Sequence, residues 1–597
     1  MNRALPAIHA SHPGWLCAGR KRIVLPVEAA AGSRQFAIHD LGRLDAQALG
    51  SDERYVAAFR GELAPHDGPM GKWLVGDFSG LRRPGVYRAA VTAAGAGAGA
   101  PAAWSFPFTV SDGAWSSLPW LFLDYVHSQR CGRFEDERRG PCHLDDGIRS
   151  DTGAAMDASG GWHDAGDLRK WMATTSLPVL GFLDLKRRGG LSRRHWGQKP
   201  YEDDFIAEAA WGISWVLRMQ DPQTGMFLED VGGGGDSRRA PGMSWWHENH
   251  AGVYADNEGN RFTDNRPGSG DERTVRVQYN PIAQYAAICV LLDGGEQMHA
   301  DSPALSRQCR DAALRAWEFM KGRRRDAFHG WTSVVSWRLL AALRLHGLGV
   351  VTEPEVSALV SVIMDLQSSH GYWFRDQGRD EPYRGILSSA QPLIALAAFL
   401  DADYEHPLAG QVRQALERCW EGFARPLLGT NPFGMMPYGL YSRPGSAADA
   451  WHPWKGDMVY RFFMPTDTPQ KVVHGLAGHW TSWAHALALL ADVLGNEECR
   501  HSAWDQLAWL TGNNPLNASM IAGVGYRAVT PYSRFYGAIP GGFSIGPLGD
   551  AVDEIVADLE GRTVWSSGEY WLAPLANACQ ALAALLPSQI LASNKLG

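Results

Sequence analysis

The sequence has no run of about 18 apolar residues, the length a membrane-spanning helix needs, so a membrane is not expected as its medium. It also lacks a stripe of Lys and Arg interleaved with aromatics. With a net charge of -8 and a pI near 6.2 it has no general attraction for phosphate backbones, and nucleic acid is not an expected partner. The opening MNRALPAIHASHPGW has no apolar leader core, so export is absent, takes another route, or used a leader since removed. The eight cysteines are scattered, and Cys289, Cys309, Cys419 and Cys579 fall in apolar helix-like segments; no disulfide framework is implied. Strand signals, finally, nearly vanish after Ala114.

What is present is length and tryptophan. At 597 residues, with 45% hydrophobic and 20% charged, the chain can bury a sizeable core and suits two to four units or one large helical domain. Its 25 Trp are about three times ordinary usage, which fits either stacking on flat apolar ligand faces or core filling.

Residues 1–112 carry short β-rich runs (RIVLPV, RQFAIHD, RYVAAFRGEL, KWLVGDFSG, GVYRAAVTA, WSFPFTV) broken by Gly, Pro and Asp turns, the pattern of a small β-sandwich. AAGAGAGAPAA reads as a surface loop before its last strand. From 113 to 597 the period changes to i, i+3, i+4, i+7. Helices are predicted at about 115–130, 168–188, 203–220, 278–292, 305–322, 332–347, 354–369, 386–401, 410–427, 473–495, 498–512 and 568–587. A mainly α domain follows, suited to a toroid of paired inner and outer helices. The long segments 221–277 and 428–472, rich in Gly, Trp, Asp, Asn and Pro, are where binding or catalysis is expected.

Three groups can carry chemistry. In GGWHDAGD, Asp164 and Asp167 are three apart at a predicted helix N-terminus, so both can face one pocket and orient one water; alternatively Asp167 merely caps the helix. In WSSGEYW, Glu569 is a carboxyl flanked by aromatics able to raise its pKa, or an ordinary first-turn glutamate. Glycoside hydrolysis with inversion needs two such acids roughly 6.5–9.5 Å apart, with water between them. Cys131, Cys142, His143 and His163 make a complete tetrahedral set for a structural zinc, with no position left for water. Unpaired buried thiols and a capping histidine are the alternative.

These residues resemble the family 9 glycoside hydrolases, inverting endoglucanases and relatives, in the subgroup with an N-terminal immunoglobulin-like domain. The likeness spans nearly the whole chain. It runs from IHASHPGWLCAGRKRIVLP and DFSGLRRPGVYRAAV through LDYVHSQRCG, GPCHLDDG and GGWHDAGDLRKW to HWTSWAHALALLADVLGN, LTGNNPLNASMIAGVG and GEYWLAPLANACQALAAL. It implies an (α/α)6 barrel, Asp167 as general base with Asp164 placing the water, Glu569 as general acid, and zinc on Cys131, Cys142, His143 and His163. Many relatives bind calcium, whose ligands the sequence does not place here. Two features depart from the family pattern. Thr530-Pro531-Tyr532-Ser533-Arg534 stands where relatives carry Pro-His-His-Arg, and Asn577 follows Glu569 by eight residues rather than six, with Pro574 between.

The expectation is an endo-acting β-1,4-glucanase, a monomer acting on β-glucan polysaccharide or oligosaccharide. Trp162, Trp245, Trp246 and Tyr383 are expected as sugar platforms, and Arg534 as a hydroxyl or substituent contact. The sandwich is expected to brace the barrel. Rivals are an exo-acting β-glucosidase or β-glucosaminidase of the same fold, a non-catalytic carbohydrate-binding protein and, more remotely, a polysaccharide lyase. The substrate class suggests secretion, with cytoplasm or periplasm as alternatives.

Overall fold

The structure is a computed structural model that describes residues 6–44, 55–93, 102–133, 140–166, 168–189, 205–232, 263–402, 405–468, 473–532, 539–559 and 564–587. The β-rich runs form β1 (Arg22–Pro26), β2 (Gln35–Leu44), β3 (Tyr55–Gly68), β4 (Gly71–Asp77), β5 (Gly85–Val91), β6 (Ala103–Trp104) and β7 (Phe108–Val110). Their antiparallel order is β1-β4-β3-β2-β5-β6, with β7 also on β5. β3 is long enough to serve both halves: residues up to Glu62 pair with β2, and those from Leu63 pair with β4. Alternate side chains including Ile23, Leu25, Phe36, Ile38, Leu74, Tyr87 and Val110 fill a core separate from that of the helices.

The helices are α1 (Leu118–Ser128), α2 (Met172–Gly189), α3 (Phe205–Arg218), α4 (Pro281–Gln297), α5 (Pro303–Arg323), α6 (Thr332–Gly347), α7 (Glu353–Asp365), α8 (Gln391–Ala402), α9 (Ala409–Cys419), α10 (Arg425–Leu428), α11 (Ala477–Leu494), α12 (Glu497–Leu510), α13 (Trp565–Gly568) and α14 (Leu572–Leu585). Among the described residues, α2, α4, α6, α8, α11 and α14 each pack on the next, and α14 returns to α2, closing an inner ring. The helices α1, α3, α5, α7, α9 and α12 lie outside it, which makes an (α/α)6 barrel. Sequence pattern explains the sorting. α4, α6, α11 and α14 are apolar nearly all round and bury residues on every face. α5 buries only the stripe Cys309, Ala312, Ala313, Ala316, Trp317 and Met320, as an outer helix should.

Each predicted helix is matched, and the differences lie at the ends. The stretch predicted at 410–427 is three pieces, with a π-helical turn at Trp420–Ala424 between α9 and α10. The helix predicted from 168 starts at Met172, because Lys170–Trp171 is a strand, β9. Counting Ile148–Arg149 as β8, Asp230–Gly232 as β10 and Thr274–Arg276 as β11, a small sheet of order β8-β11-β10-β9 forms at that end of the barrel. It ties together the two loops carrying Asp164 and His143 and the ends of the long segment before α4.

The sandwich is fastened to the barrel by polar and aromatic contacts. His9 Nδ1 lies 2.7 Å from the Asn514 carbonyl and His12 Nε2 lies 3.2 Å from Asn517 Oδ1. Trp115 Nε1 donates to the Gly14 carbonyl at 3.1 Å, Arg20 and Arg22 both reach Asp505, and Trp73 packs edge-on against Phe433.

Candidate active site and metal centre

The GGWHDAGD segment is shaped by its two glycines. Gly160 and Gly161 have φ of 92° and 71°, left-handed values that glycine takes without steric cost. The turn lays the segment antiparallel to the end of α1: the Cys131 N–H donates to the Gly161 carbonyl at 2.8 Å and the His163 N–H to the Gln129 carbonyl at 2.9 Å. His163 is thereby set beside Cys131.

Trp162 corrects an expectation. Its indole is 0% exposed and packs over α3 at Gly212, where any Cβ would stand 2.2 Å from the ring. Its Nε1 donates to Glu208 Oε1 at 2.7 Å. Arg130 Nη2 donates to Glu208 Oε2 at 2.8 Å and His127 Nδ1 lies 3.1 Å from the same oxygen. Burial would raise the Glu208 pKa, but His127 and Arg130 outweigh it and hold the carboxyl below its ordinary value. Trp162 is therefore a core residue bound to a buried ion pair, unable to stack on a sugar.

Asp164 is buried, 6% exposed. Its Oδ2 accepts from Thr174 Oγ1 on α2 at 2.9 Å, and its N–H donates to the Arg169 carbonyl at 2.9 Å. The helix-terminus reading of this segment does not hold, since β9 separates it from α2 and leaves Asp164 eight positions before Met172. Position is instead imposed by a tight reversal. Leu168 adopts φ of 70°, and its carbonyl accepts from Arg273 Nη1 at 2.6 Å. Asp230 anchors β9 to β10 by meeting Arg169 Nη1 at 3.3 Å and Arg276 Nη2 at 3.1 Å.

Glu569 sits on the neighbouring inner helix's approach. It follows α13 with extended backbone (φ -64°, ψ 135°), three residues before α14, so it is not a first-turn helix residue. Its carboxylate is 7% exposed and Oε2 accepts from Trp571 Nε1 at 2.8 Å. The Ile545 N–H donates to its carbonyl at 2.6 Å. Next to it, His474 packs 5.2 Å from Trp571 and 6.5 Å from Trp565 between ring centroids, and burial lowers its pKa to about 4, leaving it neutral.

The two segments meet. The Leu572 N–H donates to the Asp164 carbonyl at 3.1 Å, joining the approaches to α2 and α14. Tyr125 on α1, buried and edge-on to Tyr570 at 5.7 Å, has its pKa driven well above the usual value by burial first, then by Tyr570 and the charges of Asp164 and Glu569. The charges of both carboxylates are thus felt at one buried phenol. Sequence reasoning passed over Tyr125, His474 and the 42% exposed Trp565 as site residues. For Tyr125 a signal existed, because LDYVHSQRCG leads directly into Cys131, the first residue of the Cys/His quartet.

Tyr383 lies beside α2, α4 and α6 of the inner ring. It lines a cavity of about 40 Å³ with Ala173 and Leu177 of α2, Ile282 and Ala286 of α4 and Trp337 of α6, and its hydroxyl donates to the Ser388 carbonyl at 2.9 Å. Asp167, Trp245, Trp246 and Arg534 lie outside the described residues.

Cys131, Cys142, His143 and His163 are all buried and converge, with one ligand atom of each within 4.8 Å of the others. Cys131 Sγ is 3.7 Å from His143 Nδ1, Cys142 Sγ 3.8 Å from His163 Nε2, and the two nitrogens are 3.3 Å apart. Burial opposes ionisation of the Cys131 thiol, yet Cys142, Lys170, His163 and His143 outweigh it and hold its pKa well below the usual value, as a metal ligand requires. Behind the quartet, Asp146 is neutralised by Lys170 Nζ at 2.8 Å and Arg273 Nη2 at 2.5 Å. The quartet suits a structural metal.

Residues 120–345 match the family model described as glycosyl hydrolase family 9. That match covers the first part of the helical domain. No curated protein matches it. Solved structures of similar fold include a single-mutant thermostable endoglucanase from Alicyclobacillus acidocaldarius, 19% identical, covering 97% of this chain and 99% of that one, with a TM-score of 0.66. AaCel9A in complex with cellobiose-like isofagomine gives the same four figures. A Zn-binding triple mutant of the family 9 endoglucanase J30 is 18% identical, with coverage of 96% and 99% and a TM-score of 0.65. The sandwich and the barrel together share the fold of these endoglucanases, and the barrel's first part matches the glycosyl hydrolase family 9 model.

Proposed function

We propose that this protein is a family 9 glycoside hydrolase, an endo-acting β-1,4-glucanase that hydrolyses β-glucan by single displacement with inversion. Glu569 protonates the leaving glycosidic oxygen. Asp167 deprotonates a water that Asp164 helps to place, and the water attacks the anomeric carbon from the opposite face. The observation that carries this reading is the junction of the Asp164 and Glu569 segments through the bond from the Leu572 N–H to the Asp164 carbonyl. The family 9 match of residues 120–345 and the cellobiose-like ligand of one structural neighbour support the substrate class. Trp565 adds an exposed indole four residues from the acid as a sugar-facing platform.

In the same reading the Cys131, Cys142, His143 and His163 set holds zinc. A zinc with bonds of about 2.0–2.1 Å to nitrogen and 2.3 Å to sulfur has tetrahedral edges of roughly 3.3 Å between nitrogens and 3.6 Å from nitrogen to sulfur. The observed 3.3, 3.7 and 3.8 Å agree with those edges. Zinc would supply a fixed crosslink; the residues themselves pin the Asp164 segment to α1. The deciding experiment is a polysaccharide panel assayed for reducing sugar, with product anomer read by proton NMR, for the wild type, Asp167→Asn and Glu569→Gln. Release of α-anomer from a β-1,4-glucan, lost in both variants, is expected; full activity in Glu569→Gln would show that another group is the acid.

A further inference from the structure

We propose that the end of the barrel opposite the one carrying Asp164 and Glu569 holds a second binding site, for an uncharged, polyhydroxylated molecule the size of one hexose. A cavity of about 210 Å³ lies there, among the C-terminal parts of α2, α6, α8, α11 and α14. It is several times larger than the cavity beside Tyr383, and Leu177, Trp337 and Ser388 line both. At roughly 30 Å³ per water it has room for several waters, or for one ligand of about a dozen non-hydrogen atoms.

Three uncharged polar side chains in its wall lack partners that burial normally demands. His485 on α11 is 6% exposed, and its Nδ1 has no hydrogen-bond partner. Burial lowers its pKa to about 4, so the ring is neutral, with one nitrogen to donate and one to accept. Gln391, at the start of α8, is 3% exposed, and its side-chain amide makes no hydrogen bond among the described residues. Asn577 on α14 donates from Nδ2 to the Leu387 carbonyl at 2.7 Å and the Gly478 carbonyl at 3.3 Å, while its Oδ1 meets no donor among the described residues.

The charges around the cavity are, by contrast, already matched. Asp184 accepts from Arg187 and, at 3.0 Å, from Gln580 Nε2. Arg344 donates to both oxygens of Asp293 at 2.6 and 2.7 Å, and Arg188 lies 3.8 Å from Asp492 at the rim, where Asp401 is exposed to solvent. An ion would find no uncompensated buried partner here, whereas hydroxyl groups can donate to Asn577 Oδ1 and can both donate to and accept from Gln391 and His485. Much of the remaining wall is apolar, with Leu180, Leu340, Ile394 and Ala398 joining Leu177 and Trp337. A largely apolar wall with a few convergent polar groups suits a ring that carries C–H faces and a rim of hydroxyls. The inference stands apart from the hydrolase reading, for none of these residues takes part in the proposed hydrolysis.

The test is titration of D-glucose into the full chain, followed by saturation-transfer difference NMR, with melting curves in parallel. His485→Leu and Gln391→Leu remove the unpaired groups, Ala398→Leu fills the space, and Glu569→Gln is the control at the other end of the barrel. Wild type and Glu569→Gln should bind glucose saturably and melt higher in its presence. The expected Kd is on the order of 1 mM, from about a dozen atoms at a modest efficiency per atom. Each of the three cavity variants should weaken binding at least tenfold. The proposal is overturned if no saturable binding appears up to about a hundredfold the expected Kd, if Glu569→Gln abolishes binding, or if the three cavity variants leave it unchanged. It is equally overturned if glucosamine hydrochloride or gluconate binds as tightly as glucose, or if sucrose, too large for the cavity, raises Tm as much as glucose does, which would be exclusion of sugar from the protein surface.

Discussion

The Leu572 N–H donates to the Asp164 carbonyl at 3.1 Å, a bond between positions 408 residues apart that joins the first and last members of the inner ring. It fixes the mouth of α14 to the segment entering α2, so the distance between the two acidic segments is set by backbone rather than by flexible side chains.

The first prediction concerns those acids. Asp167→Asn and Glu569→Gln are each expected to lower kcat by about 10²–10⁴, the usual worth of a general acid or base, with Tm changed by little. Steady-state kinetics on a soluble β-1,4-glucan, paired with thermal melts, checks it. Asp164→Asn should also lose activity but, because Thr174 is left with a weaker acceptor, it should melt measurably lower.

A second prediction separates two tryptophans. Trp162→Ala should cost about 3–5 kcal/mol of stability, as large core truncations do, and leave Glu208 short of a donor. Trp565→Ala should leave Tm alone and raise KM on long glucans. Chain-length analysis of early products adds the mode of attack: mostly monosaccharide from the first time points would reject endo action.

Metal removal should act on stability before chemistry. Cys142→Ser, or prolonged chelation, is expected to release one zinc per chain and lower Tm, since metal-binding free energy at a structural site is folding free energy. Elemental analysis against melting temperature reads both. An activity loss with unchanged Tm would place the metal in a different role.

The junction between sandwich and barrel should weaken in acid. Burial lowers the pKa of His9 and His12 to about 4. An unfolded chain then binds more protons than the folded one between pH 6.5 and 4, so stability is full above pH 6.5 and falls as pH drops through that window. Each residue contributes up to about 3 kcal/mol by this route. His9→Gln should flatten the slope of Tm against pH; an unchanged slope would assign the acid sensitivity elsewhere.

Much of this was legible from periodicity. Apolar spacing located the helices, and alternation with Gly and Pro turns located the strands. Ring closure was expected from the family resemblance rather than from periodicity, because it depends on α14 packing against α2, a contact no local pattern encodes. The start of α2 was placed too early since Lys170 and Trp171 continue an apolar helical pattern, while pairing with Asp230 and Val231 makes them a strand. Trp162 looked like a platform because indoles suit sugars; its burial depends on Gly212, fifty residues on.

The return of α14 onto α2 also has a temporal meaning. Among the described helices α14 is made latest and α2 near the beginning of the barrel, so a chain still being synthesised holds an open ring in which the segments bearing Asp164 and Glu569 have not yet met. Docking of α14 is thus the event that closes the ring, and on the proposed reading removing that helix should abolish activity while leaving each acid in the chain.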